Sequence, residues 1–159
     1  MLDSYVSFVK TESPEPIETI VINELLSDIT KTFEKNGVDL IIKEKNTIQT
    51  SGRQIQLKRA FNNIIDNSQR YAKKIEIILY TNEKDCVIEF NDDGEGIPRD
   101  KYEDVFKPFF TLDPSRNKLK GESGLGLTIT RDIIRSHGGD VKLSESNLGG
   151  LQLKVLLPL

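Results

Sequence analysis

Cysteine is almost absent from this chain of 159 residues. The single cysteine, Cys86, has no partner for an internal disulfide, and it excludes a cysteine-based metal cluster. It alternates with Ile88 and Phe90 in a strand-like run, which predicts a small core residue and not a nucleophile. No apolar run approaches the roughly 20 residues of a membrane span, and Met1 is not followed by a signal-peptide pattern. We therefore expect a cytoplasmic module without direct membrane contact; an inner-membrane anchor of a parent protein would lie outside these residues.

A strong charge of one sign is also missing. The chain carries 22 Lys and Arg against 25 Asp and Glu, a formal net charge of -3, and the basic residues are scattered between acidic ones. Nucleic acids and anionic membranes attract proteins through concentrated positive charge. The composition therefore gives no support to nucleic acid as a partner, and it is typical of an ordinary globular domain.

The hydrophobic periodicity predicts an α+β protein. Helical spacing covers residues 23–33, 53–71 and 125–136, with room for one short helix over residues 99–105. Strand-like patterns cover residues 17–22, 38–43, 47–50, 74–81, 86–91, 140–144 and 151–157. Asn23 is predicted to cap the first helix, and Asn36-Gly37 to end it. We expect a two-layer α/β sandwich in which about three main helices pack on a mixed sheet of about five strands.

The longest helical pattern, residues 53–71, has an unusual polar face. At about 100° per residue, Asn63, Asn67, Arg70 and Tyr71 fall within an arc of about 100°, beside the apolar stripe that must face the sheet. Asparagine is a poor residue for a helix interior, so two on one face lower the stability of the helix. Their oxygens could bind Mg²⁺ and the arginine could hold phosphate, or the face is simply solvated. The helix alone leaves both interpretations open.

An acidic turn with glycines follows the strand over residues 86–91. Asp92 stands at the strand end, with Gly94 and Gly96 behind it. A carboxylate there can accept a hydrogen bond from an exocyclic amine such as that of adenine, and glycines let the backbone approach a flat base. A tight acidic turn would explain the same residues. A calcium loop of the EF-hand type is disfavoured, because further oxygen ligands at fixed positions are missing.

A glycine-containing loop, residues 121–128, opens the last helix. Glycines before a helix N-terminus expose backbone N–H groups, and the helix dipole adds to their attraction for phosphate. The loop is not a Walker A loop, which needs Gly-Lys-Ser/Thr, and it lacks the spacing and the preceding strand of a Rossmann fingerprint. The loop alone is weak support for a phosphate site, but three such elements in this order are much stronger.

Together the motifs resemble the N, G1, F and G2 boxes of histidine kinase catalytic domains. The matching residues are Asn63-x-x-x-Asn67 with Arg70-Tyr71, Asp92-x-Gly94-x-Gly96, Phe106-Lys107-Pro108-Phe109-Phe110, and Gly124-Leu125-Gly126-Leu127. The same superfamily holds gyrase, the heat-shock chaperone ATPases and MutL-type mismatch-repair proteins. The resemblance covers residue 23 to the C-terminus. It implies an ATP site between the helices that cover the sheet and a flexible lid, here residues 113–123.

The resemblance also implies roles for single residues. Asn67 would bind Mg²⁺ with Asn63 beside it, and Arg70 would contact phosphate, which makes these three the candidate catalytic residues. Asp92 would accept the adenine amine, and Tyr71 would lie near the nucleotide. The other candidate nucleotide-binding residues are Gly94, Gly96, Ile97, Gly121, Gly124, Leu125, Gly126, Leu127 and Thr128, with Phe106 and Phe109 helping to set the lid.

One position separates the subfamilies. In the ATP-hydrolysing relatives, the residue four before the Mg²⁺ asparagine is a glutamate that activates water as a general base. Here that residue is Asn63, and an amide cannot accept the proton. The sequence therefore favours a kinase, which must hold ATP without hydrolysis until the nucleophile of a partner arrives.

Two features bear on the transfer step. Glu122 stands where the family usually has a glycine, which keeps open a degenerate nucleotide-binding module that regulates a partner without phosphotransfer. The single histidine, His137, precedes Gly138-Gly139 and resembles a structural turn of the family, not a phospho-accepting histidine. The acceptor is expected on a dimerisation helix, of which residues 1–16 would be the end and the linker. Residues 17–159 would be the ATP-binding catalytic domain.

We therefore expect the ATP- and Mg²⁺-binding catalytic domain of a two-component sensor histidine kinase. Its partners would be the dimerisation and histidine phosphotransfer domain of the same kinase and a response regulator. The short linker and the closing Gly149-Gly150-Leu151 resemble the osmosensor-type kinases. A gyrase-type ATPase and a serine kinase acting on an anti-sigma partner share the boxes; Asn63 disfavours the first, and the N-terminal helix and linker disfavour the second.

Overall fold

The computed structural model describes residues 15–112 and 124–159. The predicted helix before Glu15 and the predicted lid, residues 113–123, lie outside these ranges. The helices are α1 (Ile22–Phe33), α2 (Gln54–Gln69) and α3 (Gly126–Ser136). The strands are β1 (Glu18–Val21), β2 (Asp39–Glu44), β3 (Gln49–Gly52), β4 (Lys74–Thr81), β5 (Asp85–Asp92), β6 (Asp140–Glu145) and β7 (Leu151–Pro158).

Five of these strands form a mixed sheet in the order β2-β4-β5-β7-β6. β2 runs parallel to β4, whereas the other neighbours pair antiparallel. β1 and β3 form a separate antiparallel pair at residues 18–21 and 49–52. With three α-helices in the described part of the chain, the predicted α+β sandwich with a mixed five-stranded sheet is confirmed.

The core lies between the helices and one face of the sheet. Ile77 of β4 and Phe90 of β5 are buried there opposite the apolar stripe of α2. The rings of Phe61 and Phe90 meet with centroids 6.0 Å apart, and full burial of one such side chain contributes about 1.5–3 kcal/mol. Cys86 is also buried, and burial raises the pKa of its thiol to about 12. The prediction of a core cysteine is confirmed.

The predicted cap of α1 is wrong. The helix begins at Ile22, so Asn23 already lies in the first turn, and the N-cap residue Val21 makes no side-chain cap. The Asn23 amide instead bridges to the segment between β2 and β3: its Oδ1 accepts the Ile48 N–H at 2.7 Å, and its Nδ2 donates to the Asn46 carbonyl at 2.9 Å. These partners are more than 20 residues away in the sequence, so no local pattern predicts the contacts. Gly37, with φ 76°, ends this region as predicted.

The short helix predicted over residues 99–105 is also wrong. Two separate 3₁₀ turns, Arg99–Lys101 and Asp104–Phe106, occupy the segment. Pro98 precedes the first turn, and Lys107 stands before a proline, which disfavours helical backbone at that residue. The two limits confine any helix here to about two turns, and short helical segments commonly adopt the 3₁₀ form.

His137 joins the end of α3 to the start of α2. Its Nε2 accepts the Arg53 backbone N–H at 3.0 Å, while its Nδ1 lies 2.8 Å from the Ile133 carbonyl oxygen. A carbonyl can only accept, so Nδ1 carries the proton and Nε2 is unprotonated. Burial lowers the pKa of His137. This histidine therefore has a structural role in the neutral state.

We expect His137 to make stability depend on pH. The folded-state pKa lies below the ordinary 6.5, so below that pH the unfolded chain binds more protons and stability falls as the pH is lowered. His137→Gln keeps an acceptor for Arg53 without a titrating ring. Thermal unfolding followed by circular dichroism at pH 7.5 and 5.5 should show that acid lowers the free energy of unfolding less in the variant, by a measurable difference of up to about 1 kcal/mol. An equal acid loss in both proteins would contradict the assignment, because the chain holds no other histidine.

Candidate functional site

A cavity of about 220 Å³ opens at the end of β5, between α2 and the start of α3. The predicted site residues in its wall are Asn63, Asn67, Arg70, Tyr71, Asp92, Gly96, Ile97, Gly124, Gly126 and Leu127. They come from three segments that are far apart in the sequence. The fold therefore brings most of the residues of the four motifs to one place.

Helix α2 supplies the polar wall of the cavity. Asn63 and Asn67 lie one turn apart and both face the cavity, as the helical spacing predicts. The Asn63 Nδ2 is 3.5 Å from the carbonyl oxygen of Gly126, so it forms a long hydrogen bond between α2 and α3. Arg70 pairs with Asp66 at 2.9 Å across one helical turn. The wall thus presents two amide side chains beside one ion pair.

Asp92 stands on the opposite wall and is almost fully buried. Its Oδ1 accepts the backbone N–H groups of Gly94 and Leu151, each at 3.0 Å. Burial raises the pKa of Asp92, while these two hydrogen bonds and one with the Ser68 side chain act to lower it. A carboxylate fixed in this way can direct a hydrogen-bond acceptor at one position in the cavity.

Asp93, the next residue, has a different task. Its Oδ1 accepts the backbone N–H groups of Lys73 and Lys74 at 2.8 and 2.9 Å. These hydrogen bonds hold the pKa of Asp93 below its usual value. The two carboxylates of the acidic turn therefore have different surroundings: Asp92 faces the cavity, and Asp93 accepts hydrogen bonds from the start of β4.

The beginning of α3 forms the third wall. The helix starts at Gly126, and its N-cap residue Leu125 makes no side-chain cap. Gly124 has φ 74°, and a Cβ at this position would lie 2.8 Å from the Cα of Phe109. Backbone N–H groups at an uncapped helix N-terminus attract anions. A glycine-lined helix start that faces a cavity fits a phosphate group.

The amide and glycine walls also fit a phosphate-bound divalent cation. In the part of the chain that the structure describes, no group of three or more His, Cys, Asp or Glu side chains could hold a metal ion. Mg²⁺ commonly takes one or two protein oxygens together with phosphate oxygens and water. The Asn67 amide oxygen in the cavity wall suits that kind of site. None of the described helices has the length and apolar character to cross a membrane.

The family model of the histidine kinase-, DNA gyrase B- and HSP90-like ATPases matches residues 52–159. The chain belongs to this family. Among curated relatives it is similar to the sensor histidine kinase GtrS of Pseudomonas aeruginosa, with 32% identity over 150 residues, 93% of this chain and 30% of the relative. It is also similar to the sensor histidine kinase CpxA of Escherichia coli, with 34% identity over 148 residues, 89% of this chain and 32% of the relative. The chain thus spans about a third of the length of these relatives.

Solved structures share the fold. A mycobacterial sensor histidine kinase, MprB, superposes with a TM-score of 0.79 at 22% identity, over 90% of this chain and 97% of that one. The catalytic domain of the histidine kinase ThkA gives a TM-score of 0.80 at 22% identity, over 90% of this chain and 95% of that one. The predicted resemblance to histidine kinase catalytic domains is confirmed at the level of the family and the fold.

Several predicted residues of the family motifs lie behind the cavity wall. Phe106 is buried, with the guanidinium of Arg131 4.3 Å above its ring, and its carbonyl accepts the Thr128 hydroxyl at 2.7 Å. Leu125 is fully buried. These residues join the loop before the predicted lid to α3, so they support the cavity without forming its surface.

The remaining predicted residues have other positions. Gly94 packs closely against the backbone of Tyr71, because an added Cβ would lie 3.0 Å from the Tyr71 carbonyl oxygen. Phe109 is about half exposed (47%), with φ 63°, and its N–H donates to the Gly124 carbonyl at 2.9 Å. Gly121 and Glu122 lie outside the described residues. Some residues of the motifs therefore line the cavity, and the others support its wall.

The cavity also has lining residues that were not among the predicted site residues, although one of them, Phe110, belongs to a matching motif. They are Asp66, Glu95, Val105, Phe110, Thr111, Leu112 and Leu151. Asp66 had a sequence signal, since it stands one helical turn before Arg70. Leu151 had none, because only the pairing of β5 with β7 brings it beside Asp92.

We expect Gly124→Ala to destabilise the wall formed by α3. The change would place a side chain on left-handed backbone, which costs about 1–2 kcal/mol, and would press it against Phe109. Gly37→Ala is the matched control, because Gly37 has φ 76° and nothing within 4 Å of an added Cβ. Chemical denaturation should show a larger loss for Gly124→Ala, by at least about 1 kcal/mol. Equal losses would show that the contact with Phe109 is unimportant.

Proposed function

We propose that this chain is the ATP- and Mg²⁺-binding catalytic domain of a two-component sensor histidine kinase. The observation that carries the proposal is the single cavity shared by the two asparagines of α2, the buried Asp92 and the start of α3. Membership of the ATPase family and the similarity to GtrS and CpxA support it. In this proposal, the γ-phosphoryl group of ATP passes to a ring nitrogen of a histidine on the dimerisation domain, and ADP is the product.

The walls of the cavity have complementary tasks in this proposal. Asp92 accepts a hydrogen bond from the exocyclic amine of adenine, and Tyr71 and Ile97 lie beside the nucleotide. Backbone N–H groups at the start of α3 bind phosphate oxygens. Arg70, whose charge is partly balanced by Asp66 at 2.9 Å, contacts the phosphates from α2. The nucleotide would therefore lie between the end of β5, the C-terminal half of α2 and the start of α3.

Asn67 is the proposed Mg²⁺ ligand, through its side-chain oxygen. Bound there with the phosphates, Mg²⁺ would neutralise part of their negative charge. Asn63, one turn earlier, positions this region by its hydrogen bond to Gly126. The two amides hold the phosphate end in place without adding further negative charge to it.

The amide at position 63 and the bonded states of Asp66 and Asp92 favour phosphotransfer over hydrolysis. A general base must be free to accept a proton from water. Asp66 is paired with Arg70, Asp92 accepts two backbone N–H groups, and position 63 holds an amide. The geometry therefore favours a kinase over a gyrase-type ATPase.

The N-terminal residues are proposed to be the end of a dimerisation helix and a linker (residues 1–16), before a catalytic domain over residues 17–159. Glu15, the first described residue, would join the end of this linker to the catalytic domain, because its carboxylate accepts the backbone N–H groups of Ile55 and Gln56 at the start of α2. The acceptor histidine, a response regulator and attachment of the parent protein to the inner membrane belong to the same proposal.

The test is calorimetric titration of the chain with a non-hydrolysable ATP analogue, with and without Mg²⁺. Micromolar binding that Mg²⁺ strengthens is expected, followed by transfer from ATP to the histidine once the full-length kinase is assayed. Absence of binding at millimolar analogue would reject the site. Steady ATP hydrolysis by the chain alone would favour a gyrase-type ATPase, and binding without phosphotransfer in the full-length protein would favour a regulatory module.

Asn67→Ala should abolish the Mg²⁺ dependence of analogue binding, because it removes the proposed ligand oxygen. Asn62→Ala is the matched control: it changes the same residue type in the same helix at a position that does not line the cavity. Both variants should unfold at a similar temperature to the unmodified chain. A folded Asn67→Ala variant with intact Mg²⁺ dependence would exclude Asn67 as the ligand.

A further inference from the structure

The turn between β6 and β7 reaches across to the end of β5. Gly150 donates its backbone N–H to the carbonyl oxygen of Asp92 at 3.1 Å, and Leu151 donates its N–H to the Asp92 Oδ1 at 3.0 Å. Two consecutive N–H groups thus hold the main chain and the side chain of one residue. Of the two, Leu151 also lines the cavity.

Gly150 leaves no space for a side chain at this contact. A Cβ there would overlap the Asp92 Oδ1 and would come within 2.6 Å of the Asp92 carbonyl oxygen and the Gly94 nitrogen. Two of these three neighbours are backbone atoms, which cannot swing away. Gly150 does not have a positive φ, so space and not backbone conformation requires glycine here.

The orientation of the Asp92 carboxylate depends on this contact. Oδ1 accepts from Gly94 on one side and from Leu151 on the other, so rotation of the carboxylate would break hydrogen bonds in a buried place. Loss of a hydrogen bond to a buried charged group is costly. A side chain at position 150 would displace the carboxylate that lies against it.

We propose that Gly150 is a positioning residue, which makes the chain selective for adenine by fixing the Asp92 carboxylate through the adjacent Leu151 N–H. This inference rests on the proposed nucleotide site. It adds a specificity determinant from the β6–β7 turn, outside the four motifs. Gly150 itself does not line the cavity and acts only through Asp92.

The test compares Gly150→Ala with Gly149→Ala. Gly149 belongs to the same turn but has φ 99° and nothing within 4 Å of an added Cβ. Its replacement therefore strains the turn without touching Asp92. Affinities for a non-hydrolysable ATP analogue and for inosine triphosphate, which has a carbonyl in place of the amine, are measured by calorimetry with Mg²⁺. The ratio of the two affinities is the readout that general destabilisation would not change.

Gly150→Ala should bind the ATP analogue about tenfold more weakly while its affinity for inosine triphosphate changes little, the size expected for one charge-assisted hydrogen bond. Gly149→Ala should melt at a lower temperature and keep the ratio of the unmodified chain. An unchanged ratio in folded Gly150→Ala, or an equal fall of both affinities, would overturn the proposal.

A double-variant cycle tests whether Gly150 acts through Asp92. Asp92→Asn alone should also lose about tenfold in affinity for the ATP analogue. Because both changes remove the same contact, Gly150→Ala should cost less than about twofold more in the Asp92→Asn background. A double variant in which the two losses of affinity for the ATP analogue multiply would contradict the proposal.

A measurement on the unmodified chain covers the case in which Gly150→Ala does not fold. In nuclear magnetic resonance spectra, the backbone amides of Gly150 and Leu151 should shift with the ATP analogue but not with inorganic tripolyphosphate. Amides that do not respond to the adenine nucleotide would reject the proposal. Failure of the unmodified chain to bind any nucleotide would instead reject the proposed function, on which this inference depends.

Discussion

Four parts of the chain meet at the carboxylate of Asp92, in the central strand of the sheet. It accepts the N–H groups of Gly94 in the following turn and of Leu151 at the start of β7, and it bonds to the Ser68 side chain of α2. A buried carboxylate without such partners would be strongly destabilising. The chain therefore has to bring these segments together in order to bury Asp92, and the cavity forms where they meet. The stability of the fold and the shape of the site depend on the same hydrogen bonds.

Features set by local periodicity could be predicted from the sequence. Asn63, Asn67, Arg70 and Tyr71 follow the helical repeat, so their common face was evident before the fold was known. Features set by distant contacts could not be predicted. Asn23 was assigned as a cap because its type suits one, but its amide binds the segment between β2 and β3. Leu151 reaches the cavity only through the register of β5 and β7, which no spacing within either strand reveals.

Membership of the ATPase family makes the residue type at position 63 informative about the reaction. The family includes enzymes that hydrolyse ATP and kinases that transfer its phosphoryl group. In this chain the amide at position 63 joins α2 to the start of α3, so the position has a structural use that does not require a base. The chain spans about a third of the length of its curated relatives. In the proposed function, this domain holds the nucleotide and a histidine outside it accepts the phosphoryl group.

The adjacent glycines of the β6–β7 turn should follow different paths as sequences diverge. Position 149 has left-handed backbone and open surroundings, so asparagine or aspartate, which tolerate that conformation, can replace its glycine during evolution. Position 150 has ordinary backbone but no room, so any side chain there would require a compensating change at the end of β5. Substitutions of this kind at position 149 would therefore have little effect on the nucleotide site. A chain that lost glycine at position 150 would mark a lineage in which the nucleotide site had been remodelled or abandoned.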